Sequence, residues 1–417
     1  MSESVSFKCQ IPFEGKVIVF GGDFRQCLPV IPNGTRTEIV DSCIKQSYLW
    51  SNFSRLPLEA NMRCSDIDYC EWLLGNGELT NEHNLGEDVI EIPSELLCTQ
   101  SIVIDIFGHQ ISIDITNTKS IERLASHAIL CPKNDDVDLL NSEIMDRITG
   151  EDTVYKSDDT VVTDEDDQRE NYPVEFLNSL SPSGMPLHRL RLKIGAIVML
   201  LRNLNTKKAL CNGTRLIVTN LLPNVIATKV ITGSAAGDDV FIPRIDLCPS
   251  EIKLPFRLKR RQFPIKLAFA MTINKSQGQS LKKVGIYLPQ PVFGHGQLYV
   301  AFSRVKEKTG VKVQVINTPS QGRLLPDSDK VFTKNIVYKN ILLAFTMTIN
   351  KAQGQTLATR ACVYARTTLY VAFSSVRTLD SIHVKMTHIF CSFRFQSSIH
   401  SEEASVFTKV GFCYDYK

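Results

Sequence analysis

Gly21-Gly22-Asp23-Phe24-Arg25-Gln26 follows directly on the apolar run Val17-Ile18-Val19-Phe20. A short apolar run ended by Gly-Gly predicts a buried parallel strand over residues 16–20, with Gln26 just past its C-terminal edge. Open α/β sheets bind ligands at that edge, and an amide there can sense a terminal phosphate or orient an attacking water. A plain tight turn at Gly-Gly-Asp is the competing reading. Downstream, Thr272, Asn274, Lys275 and Gln277 fall just after the apolar run Ile265–Ala270, around an expected helix start. A hydroxyl and free backbone N–H groups in that position suit a phosphate, of DNA or of a nucleotide. Two arginines could stabilise charge on a transferred phosphoryl group: Arg63, in Asn61-Met62-Arg63, and Arg304. Arg304 is the better placed, because it closes a helical run (Leu298, Val300, Ala301, Phe302) that is mostly apolar.

These residues need a scaffold, and the chain has the length for two or three domains at 417 residues. With 43% hydrophobic and 22% charged residues it reads as an ordinary globular protein, and a net charge of +3 is too small to argue for nucleic acid by itself. Met1-Ser2-Glu3-Ser4 has no leader pattern, and no apolar run approaches membrane-spanning length; Ile194 to Leu201 is among the longest. The 12 cysteines form no C-x-x-C pair and match no histidines at ligand spacing, so no metal site is expected. Reduced thiols of a nuclear or cytosolic protein explain them better.

Residues 16–20 should be followed by a helix around Ser42 to Phe53, a strand over Ala125 to Pro132, and a helix over Val137 to Arg147 capped by Asn134 or Asp135. Residues 151–170 are acidic and nearly structureless in pattern, and Asp164-Glu165-Asp166-Asp167 reads as a solvated loop. Within them Val161-Val162-Thr163-Asp164-Glu165 imitates a magnesium-binding strand end, but its apolar run is only two residues long. From Leu192 to Leu247, short β runs broken by Asn212-Gly213 and Gly233 predict a small antiparallel barrel. Then α/β alternation returns: strand Ile265–Ala270, helix Asn274 to Leu281, strand Val284–Leu288, helix Gly296–Ser303 and strand Val311–Ile316. Arg257, Lys259, Arg260 and Arg261 precede these elements as a basic face.

The block Ala268 to Gln279 recurs as Ala344 to Gln355, and Leu298 to Arg304 recurs as Leu369 to Ser375, with five residues lost between the blocks. Two copies of unequal spacing are not a solenoid. Residues 344–379 are expected to be an appended duplicate, with no sheet of its own to join.

In order, Gly-Gly-Asp-Phe-Arg-Gln, Asn-Met-Arg, Leu210-Cys211-Asn212-Gly213-Thr214-Arg215-Leu216, Leu258 to Pro264, Thr272 to Gln279 and Tyr299-Val300-Ala301-Phe302-Ser303-Arg304 resemble the later motifs of the Pif-type DNA helicases. These belong to the RecD-like branch of superfamily one, and the wording is closest to the helicase region of Helitron transposons. The resemblance covers roughly Gly15 to Ile341. It implies an α/β fold of two RecA-like P-loop NTPase lobes, with a small β-barrel inserted in the second. It implies an ATP- and magnesium-dependent motor on single-stranded DNA, serving recombination, repair and telomere maintenance. Its implied boundaries are a remnant of the first lobe at 1–63, a connection and the start of the second lobe at 64–191, the barrel at 192–252, the rest of that lobe at 253–341, and the duplicate with its tail at 342–417. Carried over by position, Gln26, Arg63 and Arg304 are the catalytic set. Gly22, Asp23, Gln277, Gly278 and Gln279 face the nucleotide, while Thr272, Asn274 and Lys275 face DNA. The resemblance also implies a G-x-x-x-x-G-K-[ST] loop and a magnesium-binding Asp-Glu ahead of Gly21, and neither stands there. The chain is therefore expected to be a fragment, inactive alone, with a non-catalytic single-stranded DNA binder or a non-functional product as the alternatives.

Overall fold

The structure is a computed structural model. It describes most of residues 19–56, 64–75, 88–162, 172–249 and 255–341, together with Phe13 and the backbone of 361–364. These fall into two compact units: Met1–Cys98 with Ser276–Gln396, and Thr99–Lys275 with Ser397–Lys417.

The unit built on Thr99–Lys275 has a parallel strand pair at its centre. His127–Cys131 is buried along its last four residues and pairs in parallel with Ala270–Thr272. Helix Asn134–Arg147 covers the pair with Val137, Leu140, Ile144 and Met145. One polar residue on its buried face fixes the strand. Ala270 N–H donates to Asn141 Oδ1 at 2.9 Å and Asn141 Nδ2 donates back to the Ala270 carbonyl at 3.0 Å. A buried amide that closes both backbone groups of one residue leaves nothing unsatisfied there.

An antiparallel sheet runs in the order Asp239–Pro243, Val225–Val230, Arg215–Leu221, Ile197–Leu200, Ile265–Leu267. The run expected as one strand, Ile265–Ala270, is thus two: its first half joins this sheet and its second half joins His127–Cys131. Arg215 holds the break. Its guanidinium is fully buried and donates to the carbonyls of Ala125 (2.6 Å), His127 (3.2 Å) and Ala268 (3.0 Å). No carboxylate is among these partners, and burial lowers the Arg215 pKa to about 10.

Four other expectations shift. Residues 151–170 are not structureless throughout: Thr153–Lys156 and Asp158–Val162 are strands, the second alternating exposed and buried, while Asp164 to Asp167 lie outside the described residues. The helix expected at Ser42 to Phe53 is replaced by helix Arg36–Asp41 and two single 3₁₀ turns, Ile44–Gln46 and Trp50–Asn52. Thr35 and Glu38 form a reciprocal capping box, so the helix starts earlier than its apolar residues suggest. Helix Asn134–Arg147 begins after Lys133, which makes no side-chain cap. The helix expected at Asn274 to Leu281 is only a 3₁₀ turn, Ile273–Ser276, broken by Gly278 at φ +81°.

The basic face is corrected too. Arg257–Gln262 is a strand between Ile245–Leu247 and Asp158–Val162, and alternation turns Arg260 inward. Arg260 clasps Asp159 through Nε (2.9 Å) and Nη2 (2.6 Å), both side chains fully buried, and donates to the carbonyls of Pro186 and Leu177. Lys259 and Arg261 stay outside and pair with Asp246.

In the other unit, Lys283–Leu288 pairs in parallel with Val311–Val315, and Val89–Ile92 pairs antiparallel with Val331–Lys334. Val19–Gly21 and Phe53–Leu56 flank Ala361–Tyr364, all three parallel. The duplicate was expected to have no sheet to join; instead its residues 361–364 supply the middle strand here. Val19–Gly21 and Phe53–Leu56 are not neighbours, so each has a backbone edge that a strand between them satisfies. The rest of 342–379 lies outside the described residues.

Breaking a buried ion pair from one side leaves an uncompensated charge, at a cost of about 3–5 kcal/mol. Asp159→Asn should lower the urea midpoint of the unit built on Thr99–Lys275 by a corresponding amount, whereas Asp246→Asn, on the exposed pair, should change it by less than about 1 kcal/mol.

Candidate functional site

Within the unit that contains Ser276–Gln396, the Gly-Asp-Phe-Arg-Gln loop leaves strand Val19–Gly21 and turns on Asp23. The Asp23 carboxylate accepts from Arg25 N (3.0 Å) and from Gln26 Nε2 (3.4 Å), and the Asp23 carbonyl accepts from Gln26 N (3.0 Å). A short acid after Gly-Gly thus winds the next three residues around itself, an Asx-type turn. Gln26 is buried, Arg25 is exposed, and Gly22 and Asp23 are half-buried.

The loop is seated on the start of helix Gln297–Phe302. Gly296, the residue before it, has φ +72°. A Cβ at this position would overlap the Arg25 carbonyl oxygen and stand 2.7 Å from the Gln26 carbonyl carbon, so only glycine allows this approach. Gln297 closes the preceding turn: its Oε1 accepts from the N–H groups of Phe293 and Gly294, both at 3.1 Å. One turn along, the Tyr299 hydroxyl hydrogen-bonds the Asp23 carboxylate, and burial, then Asp23, holds its pKa well above the ordinary phenol value.

Arg304 sits just past the end of this helix with 1% of its surface exposed. It donates to the carbonyls of Val300 (2.8 Å), Ser276 (3.4 Å) and Gln279 (3.3 Å) and to Ser303 Oγ (2.7 Å). It therefore ties the helix end to the Ser276-Gln277-Gly278-Gln279 turn. Cys27, within its field, is an inert thiol: burial pushes it up to about 12.

The structure brings together Gly22, Asp23, Gln26, Arg304 and the Gln277–Gln279 turn, linked by a single short helix. Thr272, Asn274 and Lys275 belong to the other unit, at the end of strand Ala270–Thr272 and in the 3₁₀ turn after it, with Lys275 exposed. Arg63 lies outside the described residues. Sequence reading missed His295, Gly296, Tyr299 and Tyr338. Their one local signal was Gly294-His295-Gly296 ahead of an apolar helix, which marks a close backbone approach but not what approaches.

Among the described residues, no group of three or more acidic, histidine or cysteine side chains could hold a metal ion. Arg304 spends donors on carbonyls, and Gln26 spends its amide on Asp23. As they stand, these residues do not fit a magnesium–nucleotide pair.

Parallel strand pairs packed with helices define a mixed α/β protein. Comparison with known proteins narrows this. Residues 1–79 match the family described as PIF1-like helicase, and residues 175–221 match DNA helicase Pif1, 2B domain. The ATP-dependent DNA helicase PIF1 of Xenopus laevis is 28% identical over 305 residues, covering 72% of this chain and 41% of that protein. The Campylobacter jejuni ATP-dependent DNA helicase Pif1 is 27% identical over 311 residues, covering 72% of this chain and 63% of the relative. The crystal structure of Bacteroides Pif1 bound to single-stranded DNA shares the fold, with a TM-score of 0.52 at 23% identity over 74% of this chain and 64% of that one. The chain is similar to Pif1-like helicases over these stretches, and it spans about two-fifths of the length of the Xenopus laevis and Danio rerio relatives it matches.

Gly296→Ala forces a side chain into left-handed backbone and against the loop. It should cost about 2 kcal/mol or more in urea unfolding, with an unchanged denaturant slope. Gly237→Ala, also at positive φ (+102°) but with open space at its Cβ position, should cost only about 1 kcal/mol.

Proposed function

We propose that this chain is part of an ATP-dependent DNA helicase of the Pif1 type, transposon-derived, nuclear or cytoplasmic, and that it carries the half of the machinery that reads nucleotide state and contacts single-stranded DNA. The observation that supports this best is the docking of the Gln26 loop on Gly296 and Tyr299, on the helix that ends at Arg304. A glutamine and an arginine held to one short helix are placed to move together, which is what coupling a terminal phosphate to a second site requires. Thr272, Asn274 and Lys275 are the residues proposed to meet DNA phosphates, with exposed Lys275 supplying charge. The small β insertion, read as a barrel, belongs to the same proposal, as do roles in recombination, repair and telomere maintenance.

ATP and Mg²⁺ are the cofactors such an enzyme uses, but these residues do not fit them without a phosphate loop. No G-x-x-x-x-G-K-[ST] sequence occurs among the 417 residues, and phosphoryl transfer depends on such a loop and on magnesium to neutralise developing charge. The chain alone should therefore hydrolyse no ATP above background, with or without single-stranded DNA. DNA-stimulated turnover that disappears in Arg304→Ala would overturn that part of the reading. Fluorescence anisotropy with a labelled oligonucleotide should show weak binding whose affinity falls steeply with salt and is insensitive to sequence. Lys275→Ala should lower the salt slope by about one. Absence of any binding at low salt would remove the DNA-contacting role.

A further inference from the structure

His295 is 4% exposed, and both of its ring nitrogens are engaged. The backbone N–H of Tyr338 donates to Nδ1 at 2.8 Å. An acceptor Nδ1 puts the proton of the neutral ring on Nε2, which then donates to the Phe24 carbonyl at 2.8 Å. The ring also stacks on Tyr338, centroids 5.2 Å apart. Histidine is thus the bridge between the centre of the Gly-Asp-Phe-Arg-Gln loop and the segment that follows strand Val331–Lys334. The same segment packs against Phe24 through Tyr338 and Ile341, and meets the residues around the loop at other points. Ile336 accepts the Gly296 N–H at 3.1 Å, the Arg36 guanidinium lies 4.8 Å above the Tyr338 ring, and Lys45 reaches both the Ile341 carbonyl and the face of Phe24. Phe24 itself meets Trp50 edge-on at 5.8 Å.

We propose that His295 is the positioning residue that locks the Gly-Asp-Phe-Arg-Gln loop, and that protonation of its ring unlocks the loop. A protonated ring carries hydrogen on both nitrogens, so Nδ1 becomes a donor facing the Tyr338 N–H, and the bond becomes a clash of two donors. The charge would also be buried. The groups acting on the ring have opposite signs: Asp23, from the loop, favours the imidazolium, and Arg36, from helix Arg36–Asp41, opposes it. Burial outweighs Asp23 and the bond to the Phe24 carbonyl, which also favours the imidazolium, and holds the ring neutral to lower pH than an ordinary histidine. The sign follows. The unlocked loop takes up a proton more readily than the locked one, so the lock is complete above the ordinary histidine range, near about pH 6.5, and is lost as pH falls below it. The functional weight of the lock rests on the reading of Gln26 as the group that senses nucleotide; the lock itself does not.

Trp50 reports the loop directly. In a Trp72→Phe background, so that Trp50 is the one indole, emission should change reversibly between about pH 8 and about pH 5 with a midpoint on the acid side of an ordinary histidine, while far-UV circular dichroism holds. His295→Gln keeps one donor and one acceptor but cannot titrate in this range; it should keep the neutral-pH emission and lose the pH response. His295→Ala should show the low-pH emission already at about pH 8. A His295→Gln protein that titrates like the parent, or an emission change that tracks loss of secondary structure, would overturn the proposal. Should His295→Ala fail to fold, the glutamine variant still decides. Oligonucleotide binding measured on the same samples tests the proposed function separately, since its absence leaves the Trp50 signal interpretable.

Discussion

An arginine cannot shed its charge at any pH a protein meets, so burying one obliges the chain to surround it with acceptors. This protein buries Arg215, Arg260 and Arg304, which are among its largest fully buried side chains, and supplies acceptors to the terminal nitrogens of each. Arg260 has a carboxylate, Asp159. Arg215 and Arg304 each donate to backbone carbonyls at three places. A carbonyl is fixed in the main chain, so an arginine that gathers three of them fixes the relative placement of three backbone segments. Arg215 does this for the break between Ile265–Leu267 and Ala270–Thr272, and hence for where Thr272 to Lys275 begin. Arg304 does it for the helix end and the turn of Gln277 to Gln279.

The consequence for the site is that its chemistry-bearing groups are occupied with one another. Gln26 binds Asp23, Asp23 binds Tyr299, and Arg304 binds the main chain. Such a network is rigid when every member is satisfied. It is also the arrangement in which a small change at one member must be answered by the others.

Much of the fold was legible because it rests on local pattern. Lys283–Leu288, Val311–Val315, His127–Cys131 and Gln297–Phe302 lie within a residue or two of where apolar runs and turn residues put them. The strands at 153–162 were not legible. Their acidic residues are polar in sequence, yet Asp159 is buried because Arg260 stands opposite on the neighbouring strand, a partner about a hundred positions away. The same distance hid the inward turn of Arg260, which reads as one more member of a basic face. The helix expected after Ile273 stops because Gly278 turns the backbone to positive φ, and Arg304, from a distant helix, takes the carbonyls of Ser276 and Gln279 at that break.

The sequence by itself determined the residue types available to the site, Gln26 after Gly-Gly-Asp and Arg304 after an apolar helix, together with the family resemblance those motifs carry in order. Only the tertiary structure decided which of these groups meet. It showed that Gly296 makes room for the carbonyls of Arg25 and Gln26, that His295 must be neutral with its proton on Nε2, and that the duplicate's residues 361–364 join a sheet instead of standing apart. The physical reason is the same in each case. Periodicity and turn chemistry act between neighbours in the chain, whereas a buried donor, acceptor or strand edge is satisfied by whatever the fold brings to it, and that partner leaves no mark in the local sequence.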